Sequence, residues 1–111
     1  MQHLNDDTLQ PFLDAASAVT IVLFGATKGG LTMAQAEEFA LLWAEGMFDA
    51  RFAYIDVLMN DEARTAHAIR VLPTILVFRA GLVVSRLEGF QPRHRIEAVA
   101  ARRSADADLA A

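Results

Sequence analysis

The stretch from Val19 to Phe24, Val-Thr-Ile-Val-Leu-Phe, carries no charge and runs directly into a turn that holds Gly25, Gly29 and Gly30. A run this apolar and β-branched suits a strand covered on both faces rather than one half exposed to water. Thr32 followed by Gln35 has the spacing of a capping box, so a helix is expected to open there with its free N–H groups aimed at the turn. Strand, glycine-rich turn and helix start form the architecture of a functional site. The turn nevertheless holds no obvious reactive group.

The chain has 111 residues, 54% of them hydrophobic and 22% charged, which suits one compact domain with a real core. No apolar run approaches the roughly 20 residues that span a bilayer. The opening Met1-Gln-His-Leu-Asn-Asp-Asp lacks a charged region followed by an apolar one, so the expected setting is cytoplasmic, with no membrane partner. A formal net charge of -4 speaks against phosphate-dominated binding to nucleic acid. Cysteine is absent, which removes disulfides, thiolate catalysis and cysteine metal sites together.

In chain order, Thr8 is expected to cap a first helix reaching about Ala16, with Leu9, Phe12 and Leu13 as its buried stripe. After the strand and turn, Met33 to Glu45 reads as a helix with Ala36, Phe39, Ala40, Trp43 and Met47 at helical spacing, ended by Gly46. Arg51 to Val57 is the next strand, and Asn60 is expected to cap a helix to about Arg70. Leu72-Pro73-Thr74 leads into the strand Ile75 to Phe78, and Ala80-Gly81 turns the chain into Leu82 to Leu87 as a hairpin. Pro92 opens a last helix through Arg103, followed by a disordered tail, Ser104 to Ala111. The order α-β-α-β-α-β-β-α implies an α/β fold, a mixed four-stranded sheet with helices on both faces.

With Pro73 opening the hairpin and Gly89 sixteen residues beyond it, this order resembles the thioredoxin family over residues 4 to 103, and residues 1–103 are taken as the domain. In that family a strand ends in Trp-Cys-Gly-Pro-Cys-Lys-Met, and the equivalent stretch here is Thr27-Lys28-Gly29-Gly30-Leu31-Thr32-Met33. Lys28 and Leu31 thus stand at the two cysteine positions. The family's Ile-Pro-Thr segment matches Leu72-Pro73-Thr74, which implies a cis bond at Pro73, and its substrate-groove glycine matches Gly89. The buried carboxylate that assists thiol deprotonation falls at Val22, or at Leu23 with one gap, and is also missing. The resemblance implies a peptide-binding frame without its redox chemistry. Cysteine-free relatives include the thioredoxin-like proteins of hydrogenase maturation, thought to act as chaperones, and Gly89-Phe90-Gln91-Pro92 resembles that group.

Other readings of the same residues are weaker. Gly25, Gly30 and Thr32 match a phosphate-binding loop, but Leu31 occupies the position that needs lysine, and a turn requiring glycine for positive φ accounts for the sequence. His3, His67 and His94 fall on separate elements without paired spacing, so no metal and no cofactor is expected. Asp56 at a strand end reads as a structural hydrogen-bonding group, and Trp43 reads as core with Phe39 and Met47. Arg93, Arg95, Arg102 and Arg103 make a basic last helix, read as a solvated face or, alternatively, a surface for an acidic partner.

The expected function is a redox-inactive binding module or chaperone. It would hold an extended peptide or partner protein against Thr27, Lys28, Gly29, Gly30, Leu31, Leu72, Pro73, Gly89 and Phe90, with no catalytic residue. The alternatives are a small-molecule enzyme using non-thiol chemistry at the glycine-rich turn, or a structural dimerisation subunit. Since nothing here supplies a thiolate, insulin reduction with dithiothreitol should run at the blank rate in the presence of the protein. Any acceleration above the blank would contradict this reading.

Overall fold

Hydrogen bonding along both edges of Val19–Gly25 organises the computed structural model, which describes residues 1–15, 19–46 and 50–110, with side chains as far as Arg102. The elements in chain order are β1 (Gln2–Leu4), α1 (Leu9–Asp14), β2 (Val19–Gly25), α2 (Gly30–Glu45), β3 (Ala50–Asp56), α3 (Asp61–Ala66), β4 (Thr74–Arg79), β5 (Leu82–Glu88) and α4 (Arg93–Ala110). They build a mixed sheet in the order β1-β3-β2-β4-β5, parallel on the β1-β3-β2 side and antiparallel from β2 to β5. The sheet therefore has five strands where four were expected. The extra one, β1, pairs Gln2 with Ala53 and Leu4 with Ile55. Three residues with a single buried side chain, Leu4, are too few for alternation to register.

Every residue of β2 is buried, as its composition requires. Val22 and Phe24 face one way, into a core with Leu9 and Leu13 of α1, Ala63 of α3, and Ile55 and Leu76 of the sheet. Val19, Ile21 and Leu23 face the other, against Phe39 and Leu42 of α2 and Ile96, Val99 and Ala100 of α4. Period-two alternation on one strand thus feeds two separate cores. Helices cover both faces, as the element order implies.

Several local expectations give way to tertiary partners. On α2 the buried face is Thr32, Gln35, Phe39 and Leu42, while Trp43 is 49% exposed and Ala40 is exposed. Trp43 is therefore not core; the helix docks through Phe39, which packs edge-on against Phe52 at 5.2 Å. Met47 and Ala16 lie outside the described residues. Thr8 makes no capping bond to α1; its hydroxyl instead accepts the Asn5 amide. α4 runs helically to Ala110, past the point at Arg103 where a tail was expected.

The third helix is shorter than its apolar spacing suggests. Asn60 does not cap it; its amide donates to the Asp56 carbonyl, and the free N–H of Ala63 is taken by the Asp6 carboxylate at 2.8 Å. At the other end Ala68 adopts φ 51°, the Ile69 amide donates to the Arg64 carbonyl and the Ala68 amide to the Thr65 carbonyl. That is a Schellman ending, built here without the usual glycine. Arg86 holds it in place by donating to the His67 and Ala68 carbonyls. An alanine at left-handed φ is strained by roughly 1 to 2 kcal/mol, so Ala68→Gly should raise the urea midpoint, reflecting about 1 kcal/mol of added stability once the glycine's added chain entropy is counted. A lower midpoint in the variant would show that the strain is not there.

Candidate functional site: the glycine-rich turn and the edge before Pro73

The register brings the parts together. Gly25 lies opposite Asp56, Phe24 opposite Thr74, and Thr74 opposite Glu88, so β2, β3, β4 and β5 all meet their loops at one end of the sheet. That end carries Thr27 to Leu31 after β2, Leu58 and Met59 after β3, Val71 to Pro73 before β4, and Gly89 and Phe90 after β5. All nine residues singled out from the sequence therefore belong to the same end of the molecule. Leu58, Met59 and Val71, exposed apolar residues on the neighbouring loops, join them and were missed. Nothing in a short loop's composition distinguishes such residues from ordinary surface.

Glycine serves the turn by leaving room rather than by reaching positive φ. A Cβ on Gly25 would lie 2.4 Å from Cγ2 of Thr32, and Gly29, the residue before α2, has φ -75° and ψ 136°. The expectation of a turn needing left-handed glycines is corrected accordingly. Thr32 is turned inward, where its hydroxyl accepts the Ala26 amide at 3.1 Å, so it forms no capping box with Gln35. Gly30 is different: a side chain added there would meet nothing within 4 Å. Lys28, the only lysine of the chain, is exposed, with no ion-pair partner among the described residues.

Gln35 does something the sequence spacing concealed. It is fully buried, its amide donates to the Gln91 carbonyl at 2.9 Å, and its carbonyl oxygen accepts the Gln91 amide at 2.6 Å. A single side chain thus satisfies both backbone groups of Gln91 and ties the start of α2 to the segment that carries Phe90. Gly89, at φ 82°, donates its amide to the Pro73 carbonyl at 2.8 Å, which joins that segment to the loop before β4. The Leu72–Pro73 bond is cis, and the Thr74 hydroxyl donates to the Val71 carbonyl. Leu72 itself has no hydrogen-bond partner for its N–H or C=O among the described residues.

On the far side of the turn, Tyr54, Thr27 and Asp56 form a hydrogen-bonded chain. The Thr27 hydroxyl donates to the Asp56 carboxylate at 2.6 Å and lies 2.7 Å from the Tyr54 hydroxyl. The Asp56 carboxylate also accepts the Leu58 amide at 2.9 Å. Burial pushes the Asp56 carboxyl up, but the hydrogen bonds from the Thr27 side chain and from backbone amides outweigh it and hold the group below its ordinary 3.8. The Tyr54 phenol is raised above 10.0, by burial first and by the Asp56 charge, against the opposing effect of its bond to Thr27. Asp56 is therefore the hydrogen-bonding group expected at the strand end. Tyr54 was not singled out, although period two along β3 already places it on the face of Asp56.

The missing chemistry is equally visible. Val22 and Leu23, the two candidate positions for the buried carboxylate, are both apolar and fully buried, one in each core. Lys28 and Leu31 are exposed at the turn. The three histidines remain apart: His3 on β1, His67 between the rings of Phe24 and Phe78, and His94 on α4. Burial, with help from the Arg86 charge, lowers the pKa of His67.

The family model described as thioredoxin matches residues 1–102. The chain belongs to the thioredoxin family. Three solved structures show how closely this family member keeps the fold. Thioredoxin f2 of Chlamydomonas reinhardtii is 24% identical with a TM-score of 0.84, covering 93% of this chain and 95% of its own. A chloroplastic thioredoxin z is 26% identical, with a TM-score of 0.82 and 92% of each chain covered. Fasciola hepatica thioredoxin is 23% identical, with a TM-score of 0.83, covering 92% and 98%. No curated protein matches the chain. Without cysteine, this family member has no thiol for disulfide exchange.

The Asp56 hydrogen bonds imply a pH dependence with a definite sign. Because its folded pKa lies below its ordinary value, the folded state binds fewer protons than the unfolded one in that interval. The stabilisation is complete above 3.8 and is lost as pH falls through the folded value. Urea midpoints from about pH 5 to about pH 2 should therefore fall less steeply in Asp56→Asn than in the parent, by a modest amount because the carboxylate is near solvent. Parallel curves for the two proteins would deny the carboxylate this role.

Proposed function

We propose that this thioredoxin-family protein is a thiol-free recognition module that holds an extended segment of a partner protein across Gly29, Gly30, Leu72, Pro73 and Phe90, in a cytoplasmic setting. The observation that carries the reading is the unpartnered N–H and C=O of Leu72, beside exposed apolar side chains at the same end of the sheet. An extended segment laid there can pair with that backbone and set its own side chains against Leu31, Val71 and Phe90. Such pairing needs no thiol. Lys28 adds a cation at the turn and favours a segment with a carboxylate near that point. A chaperone role of the hydrogenase-maturation kind is the finer form of the same reading, supported by Gly89-Phe90-Gln91-Pro92 and by the use of Gln91 to fix Phe90 beside the turn.

The test uses peptides selected against the intact protein from a random library and measured by calorimetry. Gly30→Arg places a long side chain in open space, and Phe90, 41% exposed, can be truncated without opening a core cavity. Each variant should weaken peptide binding by about tenfold or more while its stability stays within about 0.5 kcal/mol of the parent. A large loss of stability in Phe90→Ala would place that ring in the core. Peptide binding left intact in Gly30→Arg would rule out this groove.

A further inference from the structure

α3 is six residues long, too short to hold a helical form by its own hydrogen bonds, and two side chains from elsewhere tie it down. Asp6, from the loop before α1, accepts the Ala63 amide near its start at 2.8 Å. At its end Arg86 of β5 donates to the His67 carbonyl at 2.7 Å and to the Ala68 carbonyl at 3.3 Å. The half-buried ring of His67 sits with those of Phe24 and Phe78, each 5.6 Å away, and neither of its nitrogens has a hydrogen-bond partner among the described residues. A cavity of about 140 Å³ adjoins it, and Asp6 and Glu62 both line that cavity.

These surroundings suit a neutral ring. β2 and β4 set Phe24 and Phe78 against it and α1 contributes Leu9 and Gln10 to the cavity, so none of the three places a charged residue there. β5 supplies a cation, Arg86, while the loop before α1 and α3 itself supply the Asp6 and Glu62 carboxylates; Arg64 is turned to the Ile69 carbonyl. Burial first, and then the Arg86 charge, hold the imidazole below its ordinary 6.5, and the two carboxylates do not offset them while the ring stays with the phenylalanines. A proton on His67 therefore acts on both ties at once. It repels the guanidinium at the helix end and draws the ring towards the carboxylate that holds the helix start.

We propose that α3 is an acid-released element of the fold, in which a protonated His67 leaves Phe24 and Phe78 for the cavity beside Asp6 and Glu62 and so loosens the helix and the chain that follows it. That chain runs from Ala68 to Leu72. Release of α3 would thus regulate the groove, a consequence that rests on the reading of Leu72 as a strand-pairing position. In the released state the hydrated ring takes up its proton at the ordinary 6.5, whereas the closed state binds it less readily. The closed form is therefore fully held above 6.5 and is lost as pH falls below it, by at most about tenfold per pH unit for one proton.

Amide hydrogen exchange on the intact protein, corrected for the intrinsic pH dependence of exchange, reads this directly. Protection at Arg64, His67 and Ile69 should fall several-fold from about pH 7.5 to about pH 5.5, while Ile21 and Val77 of the central strands stay unchanged. The fall should follow the His67 ring signal in a proton NMR titration and not those of His3 or His94. His67→Gln, which keeps a polar side chain that cannot take a charge, should abolish the dependence, and His94→Gln should retain it. A library-selected peptide should bind the parent several-fold more weakly at about pH 5.5 than at about pH 7.5, and His67→Gln equally at both. Absence of peptide binding at either pH would defeat the groove and leave α3 release to be judged by exchange alone. Protection in the parent that ignores pH, that departs from the His67 titration, or that falls equally in His67→Gln would overturn the proposal.

Discussion

Covering β2 on both faces while pairing it on both edges is the constraint from which the remaining structure follows. Its side chains alternate between two cores, so each face must be supplied with helices, and α1 with α3 and α2 with α4 meet that demand. Its backbone needs a neighbour on each side, which places β3 parallel to it and β4 antiparallel. The two directions of pairing put the end of β2 and the beginning of β4 side by side. A turn leaving β2 and a loop entering β4 then share one end of the sheet without any contact between them being needed to bring them there.

What could be read in the residues divides along the same line. Strands whose signal is an unbroken apolar run, β2 and β4, were legible nearly to the residue, because burial on both faces leaves little choice of composition. The hairpin was legible through Ala80-Gly81, whose positive φ values at both central positions fit the tight turn between Arg79 and Leu82. β1 was not, since a three-residue edge strand is defined by its partner and not by its own pattern. Capping was misread at Thr32, Gln35 and Asn60 for one physical reason: side chains that suit a helix start are also able to bond backbone outside the helix, and here Ala26, Gln91, Asp56 and Asp6 supplied it. Trp43 followed the helical period and still faced solvent, because the period identifies a stripe and leaves its width to the partner surface.

For the candidate site, the residues next to glycine and proline were legible as loop positions because those two residue types mark close approaches and breaks in regular backbone. Tyr54, Gln35 and Gln91 were not, because each acts through a single long-range hydrogen bond or bond pair that has no local signature. The absence of thiols is matched by an apolar interior. With Val22 and Leu23 apolar at the centre of the sheet, no buried charge needs compensation there, and the hydrogen-bonded polar side chains near the turn are Thr27, Tyr54 and Asp56.

The two bonds between Gln35 and Gln91 carry a consequence for energetics of recognition. They fasten the helix that follows the glycine-rich turn to the strand exit that bears Phe90, while the Gly89 amide fastens that exit to Pro73. Three chain segments that would otherwise fluctuate separately are thereby held at a fixed spacing before anything binds. Under the proposed reading the entropy lost on association would fall almost wholly on the incoming segment, and discrimination among partners would depend on how readily each of them straightens. Sequences already biased toward extended backbone, rich in β-branched residues or proline, would then have the least freedom to surrender and would be favoured by rigidity alone.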